Sequence, residues 1–197
     1  MIDERRGYFN DIALDWNEMV PFADRFSILL NKCNIGPGEK VMDIGAGTGR
    51  SSVSLEAMVG TGGKVVSVDF AFLMMQEAQK FPHNGALKYV CADALYLAFR
   101  DNYFDKIICY SAFPHFRDQK RALLEMKRVL KPGGTLFIIH IEGSKTLNAF
   151  HKNLGGAVGE DVLPAGIEMQ MLMQKCRLVN IEVIDSESLY WASAQRE

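Results

Sequence analysis

Five short apolar runs recur along the chain, separated by stretches in which apolar residues return every three or four positions. The runs are Lys40–Ile44, Lys64–Phe70, Leu87–Asp93, Phe104–Tyr110 and Thr135–Ile141, and each reads as a strand. Between them, Arg50–Val59, Ala71–Phe81 and Asp118–Leu130 carry the helical period. Asp118 is placed to cap the last of these helices, and Lys131-Pro132-Gly133-Gly134 to stop it. Several runs, "KVVSV", "KIICY" and "TLFIIHI", are apolar nearly throughout, as strands covered on both faces must be. Strand and helix alternating at this spacing predict a doubly wound α/β fold with a parallel sheet.

The two ends of the chain break the pattern. A helix around Ile167–Cys176 is followed by "VNIEVIDSE" and "SLYWASAQ", β-like runs close enough to form a hairpin. An antiparallel pair at one end of the sheet is the expected placement. Residues 1–30 look helical and precede the first strand, which predicts a cap or lid carrying Tyr8, Phe9, Trp16 and Phe22.

At 197 residues the chain suits one domain. The expected division is a cap over 1–30, a cofactor-binding core over 35–142, and a substrate-side segment with the terminal hairpin over 143–197. A net charge of −2 gives no electrostatic reason to expect nucleic acid or an anionic membrane as partner. No apolar run approaches the roughly 20 residues that span a bilayer. The charged N-terminus lacks a signal-peptide core, so a cytoplasmic protein is expected. Cys33, Cys91, Cys109 and Cys176 form no Cys-x-x-Cys pair and are expected reduced, with Cys91 and Cys109 buried inside apolar runs.

Candidate chemistry begins at "VMDIGAGTGR". Its glycines (Gly45, Gly47, Gly49) occupy the first, third and fifth places, and Arg50 stands where a dinucleotide loop would carry its sixth-place glycine. Such a loop leads into a helix N-terminus, where backbone N–H groups are expected free and glycine backbone can lie against a ligand. The second strand ends in Asp69, twenty positions after Gly49, where an acid can take ribose hydroxyls. The third ends in Asp93, placed to meet the exocyclic amine of an adenine. Three such features at successive strand ends suit an adenosine with a short polar tail.

With these blocks and "FDKIICYSAFPHF…MKRVLKPGGTLFIIH", residues 35 to 142 resemble the class I S-adenosylmethionine-dependent methyltransferases. "YFNDIALDWNEM" is similar to the lead-in of their ubiquinone/menaquinone-type small-molecule branch. The resemblance implies a Rossmann-like, mostly parallel seven-stranded sheet with the last strand antiparallel. It also implies S-adenosyl-L-methionine as cofactor and an in-line methyl transfer. The methionine portion would lie along Gly45, Ala46 and Gly47, with Asp43 near its amino group. Asp69 would take the ribose, Asp93 and Ala94 the adenine edge, and Phe70 would stack beside the ring. Trp16 would close over the cofactor, and Tyr110 at the end of the fourth strand completes the expected set.

"YSAFPHF" lacks the Asn/Asp-Pro-Pro-aromatic signature of amino methylation on nucleic acid, which favours a small-molecule acceptor. His115, His140 and His151 can all face the substrate side by topology, where one would orient the acceptor or accept a proton. A metal held by the three with Glu142 is an alternative, although the spacing matches no ligand motif. A silent cofactor-binding scaffold and an NAD-dependent oxidoreductase are the competing function classes.

Overall fold

In the computed structural model, residues 3–19 and 24–197 are described; Phe22 lies outside them. Seven strands form one sheet in the order β3-β2-β1-β4-β5-β7-β6. These are β1 (Lys40–Ile44), β2 (Lys64–Asp69), β3 (Leu87–Cys91), β4 (Phe104–Tyr110), β5 (Leu130–His140), β6 (Leu178–Ser186) and β7 (Leu189–Arg196). Strands β1 to β5 pair in parallel, while β7 pairs antiparallel with both β5 and β6.

Alternate residues of the strands feed two apolar layers, which is why the runs are apolar throughout. Val41, Val65, Ile108, Phe137 and Ile139 pack on one face with α3 (Asp24–Lys32) and α4 (Arg50–Val59). Met42, Val66, Ile107, Leu136 and Ile138 pack on the other with α6 (Gln119–Val129) and α8 (Gly166–Lys175). The remaining helices are α1 (Glu4–Asp11), α2 (Trp16–Met19), α5 (Phe72–Ala78) and α7 (Ser144–Leu154). No helix among the described residues is long and apolar enough to cross a membrane.

Three local departures have physical reasons. Lys131–Gly134 does not separate helix from strand: β5 begins at Leu130 opposite Phe104, and the chain bulges before Thr135 pairs with Lys106. The expected cap divides, because α3 buries Phe26, Leu29 and Leu30 against the sheet, while α1 and α2 lie over the glycine loop side. Cys91, expected buried, is exposed at the end of edge strand β3; Cys33, Cys109 and Cys176 are buried, and all four are free thiols.

Candidate functional site

Strand order reverses between β1 and β4, and the loops after these strands open the crevice there. The glycine loop leaves β1 and folds onto the end of β2. Gly45 and Ala46 both donate N–H bonds to the Val68 carbonyl, at 2.8 and 3.1 Å, and Gly47 donates to Asp69 Oδ2 at 2.9 Å. The first three amides of the loop are thus held by β2, ahead of the helix N-terminus at Arg50. Gly45 has φ +71°, and a Cβ there would stand 2.2 Å from the Ala112 Cβ after β4, so any side chain would force the loop or that turn to shift.

A cleft of about 670 Å³, open to solvent on one side, follows the loop. Gly45, Gly47, Asp69, Phe70, Asp93, Ala94 and Trp16 line it, with Phe9, Ser111 and His115 among their neighbours. Asp69 is 8% exposed, and its two oxygens accept the Gly47 and Ala71 amides at 2.9 Å each. Burial pushes its pKa above the ordinary carboxylate value, and each oxygen keeps a further lone-pair direction. Asp93 accepts the Leu95 amide through Oδ1 at 2.9 Å, and its Oδ2 faces Arg117 at 3.4 Å.

Ala46 and Tyr110 line a second cleft on the other side of Gly45 and Gly47, together with Trp16, Thr48, Arg50 and Ser111. Asp43 lines neither. Its Oδ2 accepts the hydroxyls of Ser51 and Ser52 at 2.6 Å each, and Ser67 donates to Ser52 in turn. Burial pushes the Asp43 pKa up to about 6, against the lowering effect of the two serine bonds. These bonds brace the start of α4 against the end of β1.

The helical cap closes the opposite wall. Trp16 Nε1 lies 3.6 Å from where a Cβ on Gly47 would be, and Asn17 Oδ1 accepts the Thr48 hydroxyl at 2.6 Å. Phe9 of α1 packs edge-on against Trp16 and His115, with ring centroids 5.9 and 5.0 Å away, and tilts over Phe70 at 6.1 Å.

The three histidines come together. His115, His140 and His151 line a third, smaller cleft with Ser111, Glu142 and Leu147, and this cleft shares Ser111 and His115 with the first. The His115 and His151 rings are 5.1 Å apart. His140 is 3% exposed, its Nε2 has no hydrogen-bond partner, and burial pushes its pKa down to about 3. Burial also lowers the His151 pKa. Both of these rings are therefore neutral near pH 7, each with one nitrogen able to accept a hydrogen bond. Among the described residues no group of three His, Cys, Asp or Glu side chains is arranged to hold a metal ion.

Two functional candidates escaped sequence reasoning. Asp161 is buried, and its Oδ2 lies 2.7 Å from His115 Nδ1. Ser111 lines all three clefts with φ +54°, a conformation that costs a non-glycine residue about 1–3 kcal/mol. Asp161 belongs to no motif; Ser111 stands in the "YSAFPHF" stretch, where its position directly after a strand that ends at the crevice is the signal that could have found it.

An apolar cleft with an acid at each of two strand ends, beside a glycine loop whose first three amides are held by β2, fits an adenosine carrying a short polar tail. Comparison with known proteins agrees. The methyltransferase domain family matches residues 42–138. A ubiquinone/menaquinone biosynthesis C-methyltransferase (UbiE) of Haemophilus ducreyi is 31% identical over 188 residues, covering 86% of this chain and 72% of that protein. Its counterpart in Wigglesworthia glossinidia brevipalpis is 34% identical over 156 residues, 74% of this chain and 62% of that one. A Francisella philomiragia relative of the same name is 38% identical, but the match spans only 45% of its length. The alignments thus span less than two thirds of several such relatives. The fold is shared with a SAM-dependent methyltransferase from Aquifex aeolicus, at TM-score 0.71 and 19% identity over the whole of both chains. It is also shared with a Haemonchus contortus phosphoethanolamine N-methyltransferase, at TM-score 0.75 and 16% identity, over 95% of this chain and 58% of that one. The chain belongs to the class I S-adenosylmethionine-dependent methyltransferases. Within them it falls in the ubiquinone/menaquinone-type branch, and S-adenosyl-L-methionine is the family's cofactor.

Proposed function

We propose that the protein transfers a methyl group from S-adenosylmethionine to a small molecule held in the histidine-lined cleft. The supporting observation is the junction of the clefts: Ser111 and His115 stand on both the first and the third. A donor in one and an acceptor in the other would meet at those residues. The C-methyltransferase names of the relatives extend the proposal to a ring carbon of a quinol-type acceptor.

The cofactor supplies a methyl carbon on a positively charged sulfur, whose departure leaves S-adenosylhomocysteine. The chain's residues bind and align. Asp69 would accept the ribose hydroxyls through its remaining lone pairs, Asp93 and Ala94 would flank the adenine edge, and Phe70 would cover the ring. Gly45, Ala46 and Gly47 would carry the methionine portion, with Trp16 above and Tyr110 at the far end. Holding nucleophile and methyl in line can supply about 7–11 kcal/mol of barrier reduction.

A phenolic carbon becomes nucleophilic as the ring hydroxyl loses its proton, and a neutral imidazole can take that proton at neutral pH. The new C–C bond forms from ring electrons, the C–S electron pair stays on sulfur, and the ring proton leaves to solvent or imidazole. A net charge of −2 gives no electrostatic support for a nucleic-acid partner and favours a small acceptor.

Calorimetry with S-adenosylhomocysteine and with NAD, followed by methyl incorporation into a naphthohydroquinone measured by mass spectrometry, tests the proposal. Binding of the first ligand alone, with a product heavier by one methylene on carbon, is expected. NAD binding of equal affinity, or cofactor binding without transfer to any quinol, would overturn it.

A further inference from the structure

Asp161 holds three partners at once. Its Oδ1 accepts from Arg5 Nε at 2.7 Å, and Arg5 NH2 lies 2.6 Å from the same oxygen. Its Oδ2 pairs with His115 Nδ1 at 2.7 Å, and its backbone carbonyl with His151 Nδ1 at 2.9 Å. The side chain is 1% exposed. Burial alone would push its pKa up; the bonds from His115 and Arg5 outweigh that and hold it below the ordinary value, so it is an anion.

An anionic carboxylate only accepts, and so does a carbonyl. Both imidazoles must therefore carry hydrogen on Nδ1, which leaves Nε2 of each as the basic nitrogen. Arg5 belongs to α1, whose Phe9 also packs on His115 at 5.0 Å and joins the apolar cluster of Ala13, Ala71 and Met74. The cap thus reaches the histidine cleft through one residue, a part of the chain 156 positions away from Arg5.

We propose that Asp161 is a positioning residue that fixes the tautomer of His115 and makes the alignment of this base depend on docking of the N-terminal helix. It rests on the reading of the third cleft as the acceptor site. With α1 down, Arg5 occupies Oδ1 and turns Oδ2 to His115 Nδ1, so the bare Nε2 is left for the acceptor. With α1 lifted, the carboxylate loses its cation and His115 loses both its orienting partner's constraint and the Phe9 ring. The alignment of that Nε2, rather than its tautomer, is then held by the same docking that puts Trp16 over Gly47. An open site would hold neither aligned methyl nor aligned base.

The substitution Asp161→Asn tests this with a sharp signature. Arg5 can only donate, so the new amide must turn its oxygen to Arg5 and its NH2 to His115. His115 then has to accept at Nδ1 and carry its hydrogen on Nε2. Nitrogen-15 NMR of the imidazoles in the full-length protein, saturated with S-adenosylhomocysteine, reads this directly and needs no turnover. The wild type is expected to show His115 as the Nδ1–H form and Asp161→Asn as the Nε2–H form, with S-adenosylhomocysteine affinity kept within about threefold. Turnover on the quinol should fall about 10²–10⁴-fold in kcat with little change in KM, the magnitude set by loss of a base in its working tautomer.

Adding Arg5→Met to Asp161→Asn frees the amide to flip, and should restore the Nδ1–H form together with part of kcat; Arg5→Lys alone should behave like wild type. An unchanged His115 tautomer in Asp161→Asn, or a restored tautomer without any recovery in kcat, overturns the proposal. A wild-type protein that binds cofactor but methylates no quinol would overturn the functional reading instead, and the tautomer result would stand apart from it.

Discussion

The Thr48 hydroxyl donates to Asn17 Oδ1 at 2.6 Å, and so ties the glycine loop to the short helix α2. Trp16, the neighbouring residue, is brought over Gly47 by this bond. Loop and cap are thus joined directly, and the cofactor cleft between them is shaped by both.

Deleting residues 1–20 is expected to abolish methyl transfer while the sheet stays folded. The cap adds Phe9 and Trp16 to the cleft, and a site without them admits water and loses alignment. Circular dichroism with a cooperative thermal transition should persist, because α3 and not the cap covers that face of the sheet. Turnover of the truncated protein at the full-length rate would exclude a lid role.

Asp69→Asn should weaken S-adenosylhomocysteine binding by about 1.5–3 kcal/mol, the cost of losing a charged acceptor on a ribose hydroxyl. The amide is isosteric but has one accepting oxygen, and both carboxylate oxygens already take a backbone amide, from Gly47 and Ala71. A lowered melting temperature is expected alongside. Titration calorimetry decides; unchanged affinity would remove Asp69 from the cofactor site.

Gly45→Ala tests the loop itself. The new methyl would meet the Ala112 Cβ at 2.2 Å with the backbone held at φ +71°, so the loop or the turn after β4 has to shift. Positive φ alone costs roughly 1–3 kcal/mol for a residue with a side chain. Loss of cofactor binding with a clear drop in thermal stability is expected, whereas an Ala variant with wild-type affinity would show that the loop does not contact the ligand.

His140 sets an acid limit. Its folded pKa is pushed down to about 3 from an ordinary 6.5, so the unfolded chain binds the proton more tightly between those values. Stability therefore rises with pH across that window and is lost as pH falls from about 6.5 toward 3. Near neutral pH the neutral ring carries no such penalty. His140→Phe should move the acid-unfolding midpoint of the apo protein to lower pH, followed by tryptophan fluorescence. An unmoved midpoint would mean that water reaches the ring.

Asp43 runs the other way. With a folded pKa of about 6 against an ordinary 3.8, it favours the folded state most at low pH, and that contribution is lost as pH rises through 6. At pH 7 the buried charge costs about 3 kcal/mol by the size of the shift. Asp43→Asn should raise the apo melting temperature more at pH 7 than at pH 4. Equal shifts at both pH values would contradict a buried, reluctant carboxylate.

The sheet and its glycine loop were legible because they are local statements. Apolar runs such as "KVVSV" and the break at Gly45–Gly49 declare themselves within a few residues. The boundary of β5 was not legible, because Lys131–Gly134 has turn chemistry and forms a bulge whose partner, β4, lies elsewhere in the chain. Helix α7 was missed between strand β5 and the hairpin, where "SKTLNAFHKNL" follows a glycine without a side-chain cap. Asp161 was invisible for a deeper reason: its partners Arg5 and His115 are remote, and nothing in "GEDVLP" sets it apart from its neighbour Glu160. The serine bonds of Asp43 come from the first turn of α4, and only the fold shows them.

Strand β7 enters the sheet between β5 and β6 although it is the last of the seven in chain order. Until residues 189–196 have left the ribosome, β5 is an open edge whose Leu136–Ile139 backbone has no partner on that side. Unpaired apolar edges of this kind are templates for association with other chains. Synthesis therefore leaves a nearly complete domain waiting on its final hairpin. A nascent chain stalled before Leu189 should be the species that chaperones capture, and release should follow as soon as the hairpin can close.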